Sequence, residues 1–192
     1  MLQVSGLGCE RDQRQLFGDV SFSLNEGDLL QVLGANGSGK STLLRILAGI
    51  YTDFEGLIAR DQDTPPVYFG HKTGVKSQLT VRENLEWMLA MRSSHASAKR
   101  IEAVLTNLAL AGYEDTPCGQ LSEGQKKRVG LARFFLCADP VWIMDEPFSA
   151  IDRAGLDALK ALMTKHVQTG GAVIFSTHQK MDFDHPLKNL EL

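Results

Sequence analysis

One stretch constrains this chain more than any other. Gly34-Ala35-Asn36-Gly37-Ser38-Gly39-Lys40-Ser41 fits the pattern G-x-x-x-x-G-K-[ST]. Its glycines let backbone N–H groups turn inward around phosphate oxygens, where a Cβ would clash or forbid the dihedrals. Lys40 places a point charge on the β- and γ-phosphates of a nucleotide, and the Ser41 hydroxyl suits Mg²⁺. Such a loop needs a buried strand before it and a helix after it, whose positive end adds to the anion site. Both flanks are present. Asp28 to Leu33 reads as a buried strand, and Ser41 to Ile50 carries Leu43, Leu44, Ile46, Leu47 and Ile50 at helical spacing, with Arg45 on the other side. From composition the pattern arises by chance on the order of 0.01 times in a chain of this length, so the segment Gly34 to Thr42 is read as a nucleotide-phosphate site.

A second segment complements the first. Val141-Trp142-Ile143-Met144-Asp145-Glu146 is four apolar residues ending in two carboxylates. A short apolar run of this kind fits a central parallel strand, and ligands bind at the carboxyl ends of such strands. Asp145 would face the Mg²⁺ held by Ser41, while Glu146, one residue on, is free to polarise a water at the γ-phosphate. Alone, the segment reads as a strand closing in a solvated acidic turn; paired with the phosphate loop, it reads as the other half of the site.

The remaining pattern is an early β-rich stretch, an alternating middle and a short β end. Val20 to Leu24 alternates as a half-buried strand before the Asn25-Glu26-Gly27 turn. A strand from Val67 to Phe69 follows the Pro65-Pro66 break, and helices are expected over Val81–Met91, Ala98–Leu110 and Ser122–Cys137. Strands return at Val141–Met144 and Ala172–Ser176, flanking an amphipathic helix with Leu156, Leu159, Leu162 and Met163 on one face. The expected fold is therefore a parallel α/β core interrupted by a helical insertion between about 72 and 120.

Composition narrows the function classes. With 192 residues, 20 Lys plus Arg and 23 Asp plus Glu, the chain has a net charge of −3, which argues against a polybasic nucleic-acid binder. No apolar run approaches the roughly 18 residues of a spanning helix, and no signal peptide is read at the start. Cys9, Cys118 and Cys137 are odd in number and in no C-x-x-C spacing, which fits reduced thiols in a cytoplasmic protein. The five histidines show no ligand-type clustering with them. There is no Asn-Lys-x-Asp guanine-reading motif.

Three further motifs bring a resemblance. Leu121-Ser122-Glu123-Gly124-Gln125 opens a helix, ends 20 residues before Asp145 and resembles the Leu-Ser-Gly-Gly-Gln signature of ABC-type ATPases. Ser149-Ala150-Ile151-Asp152 resembles their D-loop, and Ser176-Thr177-His178 ends a strand as their switch histidine does. Five motifs in the family order span residues 34–178, nearly the whole chain. The resemblance implies a P-loop NTPase fold: a RecA-like parallel core, an N-terminal antiparallel β subdomain and a helical ABC insertion, with the signature helix from 122, all in one ATP-binding domain over 1–192. It implies Mg²⁺-dependent ATP hydrolysis, with Glu146 as general base and His178 at the γ-phosphate. It also implies a homodimer, since Ser122, Glu123, Gly124 and Gln125 would reach the ATP of the opposite protomer and Asp152 would lie at their meeting point. A Ser and a Gly at a helix N-terminus can present a hydroxyl and N–H groups to an anion. Glu123 in place of the usual Gly should point away from phosphate or be offset by Lys126, Lys127 or Arg128; a first helical turn also favours Glu in its own right.

Two departures narrow the resemblance. The family's adenine-stacking aromatic lies about 29 positions before the loop lysine, and here that count reaches Arg11 within Cys9-Glu10-Arg11-Asp12. A guanidinium can stack on a base; Phe17, the nearest aromatic, is expected in the core. After Val67–Phe69, where the family has a Gln beside Mg²⁺ and the attacking water, stands His71. Imidazole can bond a water but titrates near neutral pH, and an incidental surface histidine is the alternative. Together with Phe69-Gly70-His71 before Gly74-Val75-Lys76, Leu79-Thr80, Glu83-Asn84-Leu85 and the run from Trp142 to Asp152, these departures resemble the ATP-binding subunits of cytochrome c maturation haem exporters, the CcmA type. That likeness implies multi-spanning membrane partners of the CcmB and CcmC type, docking near Lys72–Trp87 on the cytoplasmic side of a bacterial inner membrane. Haem would be handled by those partners, with ATP hydrolysis coupled to haem export or to release of a haem-loaded chaperone. The alternatives are another small ABC exporter or a soluble ABC ATPase acting on nucleic acid or the ribosome, although no nucleic acid is expected.

Overall fold

The computed structural model describes residues 1–61, 66–137, 139–149 and 151–192. Pro65 of the proline break and Ala150 of the Ser149–Asp152 stretch lie outside the described residues. The chain forms two compact units, one from Met1–Gly70, Asp139–Pro147 and Met163–Leu192, the other from His71–Ala138 and Phe148–Leu162.

The first unit holds two sheets. In the smaller, β1 (Leu2–Arg11) lies between β2 (Arg14–Leu24) and β4 (Glu55–Arg60), antiparallel to both. The β1–β2 connection is the pair Asp12-Gln13, both at positive φ (52° and 60°), as a tight two-residue hairpin with matching twist requires. β2 extends further back than the alternation at Val20–Leu24 indicates, because Asp19 (φ 54°) interrupts the period and hides the earlier half of the strand.

The larger sheet has the order β5 (Val67–Phe69), β6 (Val141–Met144), β7 (Ala172–Ser176), β3 (Leu29–Leu33) and β8 (Leu187–Glu191), with every pair parallel. Strands β3, β6 and β7 are buried along their whole lengths, which is why they read as near-continuous apolar runs, broken only by Gln31 and Ser176, rather than alternations. After β3 the chain enters α1 (Lys40–Leu47), whose Leu43, Leu44, Ile46 and Leu47 are buried in a core with Val32, Ile143 and Ile174. Each such side chain contributes about 1.5–3 kcal/mol of burial. The helix ends at Leu47 rather than continuing to Ile50, because Gly49 takes φ 73° and turns the chain; Ile50 is exposed.

The second unit is helical. α2 (Val81–Ala90), α3 (Ala98–Asn107) and α4 (Glu123–Leu136) bury one apolar cluster that includes Val81, Leu85, Leu89, Ile101, Leu105 and Val129. A reciprocal Thr80–Glu83 capping box starts α2. α3 stops at Asn107 because Ala109 has φ 52°; Leu108 and Leu110 stay buried beyond its end, so the apolar pattern outlasts the helix. α5 (Arg153–Gln168) begins in this unit and ends in the first. All three cysteines are buried and none is in a disulfide, and no helix among the described residues is long and apolar enough to cross a membrane.

Candidate nucleotide-binding site

The site is built at the carboxyl ends of β3, β6 and β7. The loop after β3 reaches α1 through Gly39, which has φ 99° and caps the helix without a side-chain bond. A Cβ there would fall 2.7 Å from Cδ1 of Phe17, a buried core ring, so both dihedral and space call for glycine. Helix geometry leaves the amides of Lys40, Ser41 and Thr42 without intrahelical acceptors. The Lys40 side chain is buried and folds back on the loop, its Nζ donating to the carbonyls of Gly34 at 2.6 Å and Ala35 at 2.9 Å. The loop thus holds its own cation at its centre. The Ser38 hydroxyl is buried inside it with no hydrogen-bond partner, as a group awaiting an external acceptor would be.

A cavity of about 240 Å³ opens over this loop, lined by Asn36, Gly37, Gly39, Lys40, Ser41, Thr42, Arg11, Leu16, Glu146 and His178. Loop, Glu146, His178 and Arg11, far apart in sequence, therefore share one space. Arg11 arrives there as the last residue of β1, directly before the hairpin turn, and it pairs loosely with Asp12 at 3.6 Å. Leu16 joins them without any signal in the sequence, because a leucine on a strand carries no chemical signature.

Asp145 and Glu146 follow β6 and lie beside the end of β7. The parallel register pairs Met144 with Phe175, so the next step sets Asp145 against Ser176. The Ser176 hydroxyl donates to Asp145 Oδ1 at 2.7 Å and accepts the Glu146 N–H at 2.9 Å. Asp145 and Ser176 are buried, and Glu146 sits at φ 49°. His178 Nε2 lies 2.5 Å from Glu146 Oε1. Burial, and after it the Asp145 charge, push the Tyr68 phenol up, so this neighbour on β5 stays neutral.

The donors at hand are hard oxygens: the Ser41 hydroxyl and the Asp145 carboxylate. Such a set, completed by phosphate oxygens and water, would fit Mg²⁺. Among the described residues no group of three or more His, Cys, Asp or Glu forms a metal cluster.

In the second unit, Ser122 caps α4. Its Oγ accepts from Gln125 N–H at 3.3 Å while Gln125 Oε1 accepts from Ser122 N–H at 2.9 Å. Glu123 is exposed and its carboxylate is held by Lys126 at 2.8 Å, one of the offsets expected for it. Gly124 follows in the first turn. Lys127 instead donates to the Ser149 carbonyl and hydroxyl at 2.5 and 2.6 Å, and Arg128 lies 3.7 Å from Asp152. Asp152 also accepts the Gly155 N–H at 2.9 Å, capping α5. His71 is the first residue of this unit and is exposed.

The ABC transporter family profile matches residues 17–149. A cytochrome c biogenesis ATP-binding export protein CcmA from Vibrio vulnificus is 45% identical over 203 aligned positions, covering 100% of this chain and 99% of the relative. The chain belongs to the ABC transporter family, in its CcmA branch. Solved structures agree on the fold. A putative ABC transporter ATP-binding protein from Pyrococcus furiosus superposes with a TM-score of 0.85 over 98% of this chain and 96% of its own, at 21% identity. The dimeric structure of a bacterial ABC transporter cassette gives 0.81 over 93% and 88%, at 23% identity. This CcmA-branch chain is thus an ABC-type ATPase subunit with a P-loop fold, a parallel sheet and a separate antiparallel sheet, as its motifs imply.

Proposed function

We propose that two copies of this chain hydrolyse ATP with Mg²⁺ on the cytoplasmic side of a bacterial inner membrane, driving a haem-handling export complex of cytochrome c biogenesis through multi-spanning partners of the CcmB and CcmC type. One observation carries the catalytic part. The phosphate loop, Glu146 and His178 line a single cavity. The export part is supported by the full-length likeness to proteins described as cytochrome c biogenesis ATP-binding export proteins.

The residues divide the work by their chemistry. On binding, the triphosphate displaces the loop carbonyls as the partners of Lys40 Nζ and takes the free amides at the start of α1 together with the Ser38 hydroxyl. Arg11 stacks on the base, and Leu16 lies beside it. Ser41 and Asp145 hold Mg²⁺, which supplies charge neutralisation along the phosphates. Glu146 accepts the proton of the attacking water, and His178 orients the Glu146 carboxylate through their short contact and reaches the γ-phosphate. Ser122 and Gly124 of the partner subunit complete the site. The capping role of Ser122 does not prevent this, because a hydroxyl that accepts one bond can still donate another. Asp152 lies between the two copies.

The test is purification of the tagged full chain from detergent-solubilised membranes, with ATP turnover measured on the recovered complex. Turnover together with a multi-spanning subunit of a haem-handling complex is expected. Recovery with the membrane subunit of a transporter for another substrate would overturn the export reading and leave the ATPase reading standing. Absence of turnover in the complex would overturn the ATPase reading.

A further inference from the structure

The Ser176 side chain carries an arrangement that the phosphate-transfer roles above do not use. It is fully buried at the end of β7, preceded by the apolar run Ala172-Val173-Ile174-Phe175. A hydroxyl there is unfavourable unless it is bonded. It is bonded twice, as donor to Asp145 Oδ1 at 2.7 Å and as acceptor from the Glu146 amide at 2.9 Å. One donor and two lone pairs are what a serine has to offer, and both bonds go to the two acidic residues of the neighbouring strand.

The consequences differ for the two partners. At Asp145, one carboxylate oxygen is fixed, which sets the rotation of the group and leaves Oδ2 outside that bond. At Glu146, a non-glycine residue holds φ 49°, a left-handed conformation that strains an L-residue with a long side chain. Its amide has turned out of the β6 ladder, and the Ser176 oxygen is the acceptor that receives it there. This backbone turn sends the Glu146 side chain into the cavity beside the phosphate loop while Asp145 stays buried.

We propose that Ser176 is a positioning residue for ATP hydrolysis, its hydroxyl setting the Asp145 carboxylate and holding Glu146 in the left-handed turn that aims its carboxylate at the cavity. The inference rests on the ATPase reading for its catalytic consequence, but the Glu146 amide reports it without turnover. Threonine keeps the hydroxyl and is at home in a strand; alanine removes it; cysteine fills the same space with a weak donor.

The experiment compares Ser176→Ala, Ser176→Cys and Ser176→Thr in the full chain and its complex. Hydrogen exchange of the Glu146 amide is followed in the nucleotide-free chain, MgATP turnover in the complex, and the urea midpoint in each. Loss of one buried bond predicts exchange about tenfold faster and kcat about tenfold lower in Ser176→Ala, with the KM for MgATP within about threefold. Ser176→Cys follows Ser176→Ala, and Ser176→Thr keeps both values near wild type. A purely structural role would move the urea midpoint and spare the kcat-against-KM split. An unchanged Glu146 amide, or unchanged kcat in Ser176→Ala, would overturn the inference, as would equal losses in Ser176→Thr and Ser176→Ala at an undiminished midpoint. A wild-type complex without turnover would overturn the ATPase reading instead, and the exchange result would still decide whether Ser176 holds Glu146.

Discussion

His178 Nε2 approaches Glu146 Oε1 to 2.5 Å across the ends of two adjacent parallel strands. The carboxylate proposed to take the water's proton is therefore held by the imidazole. Glu146→Gln keeps the shape and loses the base. ATP binding should remain within about threefold of wild type while single-turnover hydrolysis falls by about 10²–10⁴, the usual worth of a general base. His178→Ala should lower turnover by less, since it removes the holder and not the base. Rapid-quench measurement of both variants checks the order; a Glu146→Gln chain with wild-type turnover would remove Glu146 from the role.

Lys40 gives a second test, because its buried ammonium sits at the centre of the loop and bonds the Gly34 and Ala35 carbonyls. Lys40→Ala loses a charge-assisted phosphate contact worth about 1.5–3 kcal/mol, so the Kd for ATP should rise by roughly 10- to 150-fold. Lys40→Arg should not restore it, since a planar guanidinium does not fit between those two carbonyls. A nucleotide titration by fluorescence reads both values.

At Gly39 the prediction concerns stability as well as binding. Alanine would have to hold φ 99° with its Cβ 2.7 Å from the Phe17 ring. Such backbone strain costs on the order of 1–3 kcal/mol, and the urea midpoint of Gly39→Ala should fall accordingly. Nucleotide affinity should fall with it, because the same residue starts α1. Gly112, with φ 85° and open space around its Cβ position, is the control: strain without collision, away from the loop.

Arg11 is the test of base recognition. It lines the cavity with Leu16 in place of an aromatic ring. A stacked guanidinium contributes about 1 kcal/mol and does not distinguish purines well. ATP and GTP should bind within about tenfold of each other, and Arg11→Ala should weaken both by about fivefold. Competition binding with the two nucleotides decides it; unchanged affinity in Arg11→Ala would remove Arg11 from the site.

What the linear sequence makes legible follows the range of the interactions concerned. The phosphate loop and the Asp145-Glu146 pair are contiguous because the backbone itself wraps the ligand or ends a strand there, so chemistry and spacing coincide. β1 was not legible: the register shifts around Gly6 and Gly8 break its period. β8, with a half-buried pattern over five residues, carries too little alternation to stand out. Ser176 was visible only as the residue before Thr177-His178. Its two bonds reach across 30 and 31 positions, and nothing local distinguishes it from a serine that merely ends a strand. The capping role of Asp152 rests on one bond to the Gly155 N–H, a polar contact at a helix start that stays out of the apolar pattern.

The last prediction concerns pH. His166 on α5 stacks on Trp142 of β6, with ring centroids 3.6 Å apart and planes within 7°, and its Nε2 lies 3.1 Å from the Pro140 carbonyl. Burial pushes its pKa below the ordinary histidine value, outweighing the Pro140 carbonyl, which favours the protonated ring. In the unfolded chain the ring titrates near about 6.5. Between that value and the lower folded one, the unfolded chain binds the extra proton and the folded chain does not, so stability rises with pH across this window. The contribution is complete above about pH 6.5 and is lost as pH falls toward the folded pKa. His166→Phe keeps a ring on Trp142 and removes the titration. Its Tm at pH 7.5 should be lower than wild type, since the Pro140 carbonyl keeps only the Ala172 N–H of its two donors, and the gap should narrow at pH 5.5. Calorimetry at the two pH values checks this; a gap that stays constant or widens on acidification would show that the His166 proton plays no part in holding α5 against β6.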